Sequence, residues 1–184
     1  MTTNPPAKDG GRRVFTIGHS TRPFDEVLTM LRANKVTMLV DVRSFPSSRK
    51  YPQWNQNAII DALPRSIGYR WIRDLGGRRH TPAGVASPNG GWRVKAFRDY
   101  ADYMATDQFR SGLNELLEVV ADKEVPAIMC SEAVPWRCHR RLITDALLTE
   151  GVAVFDIMSA SSTRPANMDS FARIDNGQIV YPES

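Results

Sequence analysis

The stretch Pro126-Ala-Ile-Met-Cys-Ser-Glu-Ala-Val-Pro-Trp-Arg-Cys-His-Arg-Arg-Leu-Ile-Thr-Asp-Ala-Leu-Leu148 decides how this chain is read. It holds both cysteines and one of the three histidines. The apolar run Ala127-Ile128-Met129 reads as a short buried strand. Leu142, Ile143, Ala146 and Leu147 recur at one-turn spacing and predict a helix over residues 138–148. Glu132 then falls at the carboxyl end of the strand, while Cys138, His139, Arg140 and Arg141 fill the first helical turn. In open α/β sheets that edge is where ligands bind.

The flanking sequence repeats the strand-turn-helix pattern. Residues 14–17 form a strand candidate that ends in Gly18-His19-Ser20. A helix follows, with Ser20 or Thr21 as its cap, Asp25 and Glu26 near its positive end, and Phe24, Val27, Leu28 and Leu31 on one face. Residues 36–42 are a nearly continuous apolar strand ending in Asp41 and Arg43, as expected where both faces of a parallel sheet are covered. Residues 57–63 predict a short helix and 68–72 a third strand. Residues 74–92 are rich in Gly and Pro and read as a functional or mobile loop.

Two further helices follow, marked by Val94, Phe97, Ala101 and Met104 and by Phe109, Leu113, Leu116, Leu117 and Val120, with Thr106 or Asp107 as a cap. Gly151 suits the residue after the helix of the opening stretch. Residues 152–157 are the last strand of the set, and 171–181 predict a small hairpin turning at Asn176-Gly177. This order predicts an α/β fold: a mainly parallel sheet with helices on both faces, either three-layered and Rossmann-like or a partial barrel, plus a small C-terminal hairpin.

At 184 residues the chain has room for one substantial core, so residues 13–184 are expected to form one domain after a disordered lead-in at 1–12. A hydrophobic share of 42% and a charged share of 24% are ordinary for a globular protein. No run approaches the roughly 20 apolar residues of a membrane helix, and no signal-peptide core is present, so a cytoplasmic protein with no membrane partner is expected. Two cysteines in such a chain are expected to stay reduced.

The net charge is +4 and unevenly spread. Arg65, Arg70, Arg73, Arg78, Arg79, Arg93, Lys95 and Arg98 face the single acid Asp74 within residues 65–98. A solvated surface explains this, and so does a footprint for an anionic small molecule or nucleic acid.

If the strands are parallel, their carboxyl ends bring His19, Ser20, Asp41, Arg43, Glu132, Cys138, His139 and Arg140 to one crevice. His19 can exchange protons near neutrality, or simply hydrogen-bond its turn. Asp41 and Arg43 suit an ion pair, or an anion clamp with Asp41 orienting His19 or a water. Glu132, after a buried strand, must be paired or placed to work. Cys138 beside His139 and arginines has the surroundings of an activated thiol, although buried inert thiols are as common.

The spacing from Cys130 to Arg137 fails the phosphatase pattern by one residue. No cofactor is implied; a divalent metal held by Cys130, Cys138, His139 and His19 is the minor alternative. Trp54, Trp71, Trp92 and Trp136 all fall in or beside predicted loops near arginines, which suits base stacking as well as core packing.

Thr16-Ile-Gly-His-Ser20, Leu39-Val-Asp-Val-Arg43 with Pro46, Leu75-Gly-Gly77, Phe97-Arg-Asp-Tyr-Ala-Asp-Tyr-Met104, Cys130-Ser-Glu132 and Cys138-His-Arg140 together resemble the domain of unknown function 488 family. The resemblance runs from about residue 15 to 158. It implies a small α/β domain and carries over His19, Asp41, Arg43, Glu132, Cys138, His139 and Arg140 as a site, with no assigned activity.

The leading expectation is an enzyme performing hydrolysis or group transfer on a phosphate-bearing substrate, a nucleotide or nucleic acid. In it His19, Asp41, Glu132 and Cys138 are catalytic, and Ser20, Arg43, Trp136, His139 and Arg140 bind substrate. The alternatives are a thiol or metal enzyme using Cys138 and Cys130, and a nucleic-acid-binding module without catalysis.

Overall fold

A computed structural model describes residues 12–184. The expected lead-in, apart from Arg12, lies outside the described residues. The elements are β1 (Arg13–Gly18), α1 (Phe24–Ala33), β2 (Met38–Asp41), α2 (Gln56–Ala62), β3 (Gly68–Trp71), α3 (Lys95–Tyr103), α4 (Asp107–Ala121), β4 (Pro126–Cys130), α5 (Arg140–Thr149), β5 (Ala153–Ser159), β6 (Ser162–Pro165), β7 (Arg173–Asp175) and β8 (Gln178–Val180). Short 3-10 turns at Pro52–Trp54, Arg73–Leu75 and Pro135–Arg137 punctuate the loops. Among the described residues, no helix is long and apolar enough to cross a membrane.

The first sheet runs β3-β2-β4-β1-β5-β6, parallel throughout except at β6. Its edges are β3 and β6, so it stays open, with helices packed on both faces in the three-layered form. Strand residues alternate between two cores. Phe15, Ile17, Leu39 and Met129 pack with Val27, Met30 and Leu31 of α1 and Ile59 of α2. Val14, Val40, Ile128 and Val154 pack with the buried faces of α3, α4 and α5. Successive side chains of a strand point to opposite faces, so one apolar run feeds both layers.

Local signals explain most element ends. Thr106 accepts a hydrogen bond from the Phe109 amide at 3.2 Å and caps α4. Gly151 follows α5 at φ +79, and Asn176 and Gly177, both at positive φ, turn the β7-β8 hairpin. Ser20 and Thr21 do not cap α1. They lie in a turn closed by the Arg22 amide on the His19 carbonyl (3.0 Å), and Pro23 precedes the helix with no side-chain cap. The expected helix start at Cys138 is also corrected, because Cys138 is extended (φ −134, ψ 151) and α5 begins two residues later. Strand β6, Ser162-Thr-Arg-Pro165, has no apolar alternation to reveal it; it pairs antiparallel with β5 and puts Pro165 on the edge.

Register places the functional loops. Gly18 pairs with Cys130, and Asp41 with Met129, so β1, β4 and β2 end on one line. Pairing then continues into the loops: the His19 amide donates to the Cys130 carbonyl (3.0 Å) and the Ser20 amide to the Ser131 carbonyl (2.9 Å). A side chain at Gly18 would overlap the Glu132 carbonyl, so this close approach requires glycine.

Candidate functional site

Helix α1 follows β1 onto one face of the sheet, whereas α5 follows the neighbouring β4 onto the other. Departure in opposite directions opens a crevice above the adjacent strand ends, the usual ligand position in such folds. Here it is a cavity of about 640 Å³ with His19, Ser20, Arg43, Glu132, Cys138 and His139 among its lining residues. Six of the nine site candidates therefore share one pocket. Asp41, Trp136 and Arg140 do not line it.

Asp41 is fully buried and grips the Arg43 side chain with both oxygens, Nε to Oδ1 at 2.9 Å and Nη2 to Oδ2 at 2.7 Å. The Tyr69 hydroxyl also donates to Oδ2 (2.7 Å), and the Trp71 indole donates to the Arg43 carbonyl (2.9 Å). Burial and the Asp41 charge push the Tyr69 hydroxyl pKa far up, so it stays protonated as a donor. Asp41 thus positions Arg43 from behind and does not line the cavity. A bidentate carboxylate fixes the guanidinium plane, which leaves its remaining edge aimed predictably.

That edge reaches His19, with Nη1 3.4 Å from Nε2. The imidazole stacks on Trp54 at 4.7 Å, and its Nδ1 lies 2.9 Å from the Ser20 carbonyl. A carbonyl only accepts, so Nδ1 carries the proton and Nε2 presents a lone pair. Burial, with a smaller push from Arg43, lowers the His19 pKa from 6.5 to about 4 despite the Ser20 hydrogen bond. His19 is therefore neutral at physiological pH and a weak base.

The two cysteine sulfurs meet within the same cavity wall. Residues that the sequence leaves eight positions apart are thus brought together. The Pro135–Arg137 turn folds the loop back, so that extended Cys138 returns beside the end of β4. His139 Nε2 donates to the Val42 carbonyl (2.8 Å), and its Nδ1 is 3.5 Å from Cys138 Sγ. Burial, aided by the Arg140 charge, lowers the His139 pKa to about 4, so its one proton sits on Nε2. The Arg140 amide donates to Cys138 Sγ at 3.4 Å. Among the described residues, no group of three or more His, Cys, Asp or Glu side chains comes together to hold a metal ion. The ligand set of Cys130, Cys138, His139 and His19 does not assemble.

Glu132 and Arg140 exchange the roles that residue type suggested. Glu132 is exposed at the rim, and none of the ion pairs among the described residues involves it. Its main chain is the buried part: Arg140 Nη2 donates to the Glu132 carbonyl at 2.7 Å. Arg140 itself is 1% exposed and donates through Nη1 to Thr16 Oγ1 (3.1 Å), which in turn donates to Asp156 (2.6 Å). Burial lowers its pKa to about 10, so it remains a cation. Arg140 braces the Glu132 loop and does not line the cavity.

The tryptophans form no set around the crevice. Trp54 lies wholly buried under His19, and Trp92 is buried against Phe97, Phe171 and Tyr181. Trp71 serves Arg43, and the exposed Trp136 borders a separate cavity beneath Arg164.

Sequence reasoning missed Arg78 and the aromatic mouth. Arg78 lines the cavity and lies over the ring of Phe45, which is 61% exposed; Tyr51, Phe97 and Arg137 also line it. The basic stretch 65–98 was the available signal for Arg78. Among its other cations, Arg79 lies over Tyr103 and Lys95 pairs with Asp99.

Neither a curated protein nor a solved structure matches the chain. Residues 23–147 match the family described as "Domain of unknown function DUF488". This span carries β2, β4 and their loops, but leaves His19 and Ser20 outside, a shorter match than the motifs suggested. Since the match covers about two thirds of the sequence, the chain belongs to the DUF488 family.

Proposed function

We propose that this protein is an enzyme of hydrolysis or group transfer acting on a phosphate-bearing substrate of the nucleotide class, whether a mononucleotide or a nucleic acid. The observation that carries the reading is the charge of the cleft. Arg43, Arg78 and Arg137 line it against one carboxylate, Glu132. Guanidinium groups recognise phosphate through paired donors, and a crevice of one sign concentrates anions. Phe45, Tyr51 and Phe97 add ring surface beside these cations, which suits a substrate with a planar base next to its phosphate.

In this reading Arg43 is the fixed anchor, because Asp41 and Tyr69 hold it before any ligand arrives. Arg78 and Arg137, both exposed, close on the anion from the rim. Glu132 is the group placed to take a proton from an attacking water or hydroxyl, while the arginines stabilise the charge that develops on the leaving group. His19 contributes a neutral lone pair that orients Arg43.

The test is a turnover screen at low salt with nucleoside mono-, di- and triphosphates and short single-stranded oligonucleotides. The expected result is turnover of at least one, reduced at least about a hundredfold by Glu132→Gln with binding retained. No binding of any of these substrates would remove the reading.

A further inference from the structure

We infer that Cys130 and Cys138 form a dithiol–disulfide exchange centre, with Cys138 the attacking thiol, Cys130 the resolving thiol, and small disulfides bearing carboxylates the substrates. Three features of the geometry point there. The two sulfurs meet, so an intramolecular bond is within reach. Both residues line the arginine cleft, so a ligand in it lies against them. Their surroundings also differ: Cys138 Sγ receives the Arg140 amide, whereas Cys130 Sγ faces the Glu132 carbonyl at 3.8 Å.

The amide donating to Cys138 favours its thiolate, while a carbonyl beside Cys130 favours the thiol. The pair is therefore polarised, as two sulfurs with separate tasks require. Arg43, Arg78 and Arg137 seat the carboxylates of the disulfide; that seating rests on the anion reading above, whereas the sulfur chemistry does not.

The steps balance as follows. The Cys138 thiolate attacks one sulfur of the substrate disulfide, forming a mixed disulfide and releasing the first thiolate, which takes up a proton from solvent. Cys130 then loses its proton and attacks Cys138 Sγ. The Cys130–Cys138 bond forms and the second substrate thiolate leaves. The substrate gains two electrons and the protein dithiol loses two; a dithiol reductant reverses the process.

The experiment uses the full chain, reduced and then exposed to oxidised glutathione, quenched in acid, and alkylated under denaturing conditions for mass measurement. Wild type is expected to take up no alkyl label after oxidation and to regain both labels after reduced dithiothreitol. Cys130→Ser is expected to stop at a glutathione adduct on Cys138, forming at least about tenfold faster than the adduct on Cys130 in Cys138→Ser. Thermal unfolding of each variant checks that it is folded.

Retention of both labels in oxidised wild type, or equal trapping in the two variants, would overturn the inference. A neutral disulfide, bis(2-hydroxyethyl) disulfide, tests the seating separately. Arg78→Ala is expected to slow reaction with oxidised glutathione and leave the neutral disulfide unaffected; equal rates for both reagents with wild type would overturn the anionic substrate class. If exchange persists while nucleotides fail to bind, the proposed function falls and the sulfur chemistry stands.

Discussion

Arg140 donates its Nη2 hydrogen to the main-chain carbonyl of Glu132 at 2.7 Å, so a buried cation fixes the backbone from which the rim carboxylate projects. Through Thr16 the same guanidinium is linked to Asp156, whose pKa burial raises. Arg140→Ala would leave the carbonyl and the Asp156 network without their donor and is expected to cost about 3 kcal/mol of stability. Urea unfolding measures it. A variant as stable as wild type would show that the loop is braced by other contacts.

Gly18 is predicted to be equally intolerant of change. A Cβ there would collide with the Glu132 carbonyl, which is backbone held by Arg140 and unable to swing aside. Gly18→Ala should lose at least about 2 kcal/mol, seen as a fall in Tm of about 6 °C. Gly84→Ala, with open space around it but φ +84, serves as a comparison for backbone strain without collision.

The buried histidines set the acid side of stability. Burial lowers the pKa values of His19 and His139 from 6.5 to about 4, so the unfolded chain binds more protons between those values. Their contribution is complete above pH 6.5 and is lost as pH falls through about 4. Asp145 has the opposite sign. Burial raises its pKa although Tyr181 donates to it, and its contribution is present below its ordinary value and lost as pH rises through the raised one. Wild-type Tm should fall as pH drops from 6.5 to 4, and Asp145→Asn should steepen that fall. A flat wild-type profile over this range would contradict the assignment of neutral, buried imidazoles.

Tautomers give an independent check on the same two rings. Nitrogen-detected NMR should find the His19 proton on Nδ1, against the Ser20 carbonyl, and the His139 proton on Nε2, against the Val42 carbonyl. The reverse assignment for His139 would contradict its hydrogen bond to the Val42 carbonyl.

What the sequence revealed was whatever depends on neighbours along the chain. The apolar runs of β1, β2 and β4, the Thr106 cap, Gly151 and the Asn176-Gly177 turn are set by local rules, and they appear where expected. The crevice followed from strand ends alone. Roles that depend on distant partners were hidden. Arg140 is structural because Thr16 and Asp156, on β1 and β5, lie beneath it, and Glu132 matters through a carbonyl that no residue type advertises. Trp54 became core because His19 covers it, and Cys138 left the helix because the Pro135–Arg137 turn absorbed the chain before α5.

The most direct measurement is a calorimetric titration with a nucleoside monophosphate at low and moderate salt, for wild type, Arg78→Ala and Arg137→Ala. Both side chains are exposed, so the variants should fold normally. The predicted result is salt-sensitive binding to wild type that each substitution weakens about tenfold, with a shallower salt dependence. Binding that ignores both arginines, or no binding at low salt, would contradict an anion site at the carboxyl ends of β1, β2 and β4.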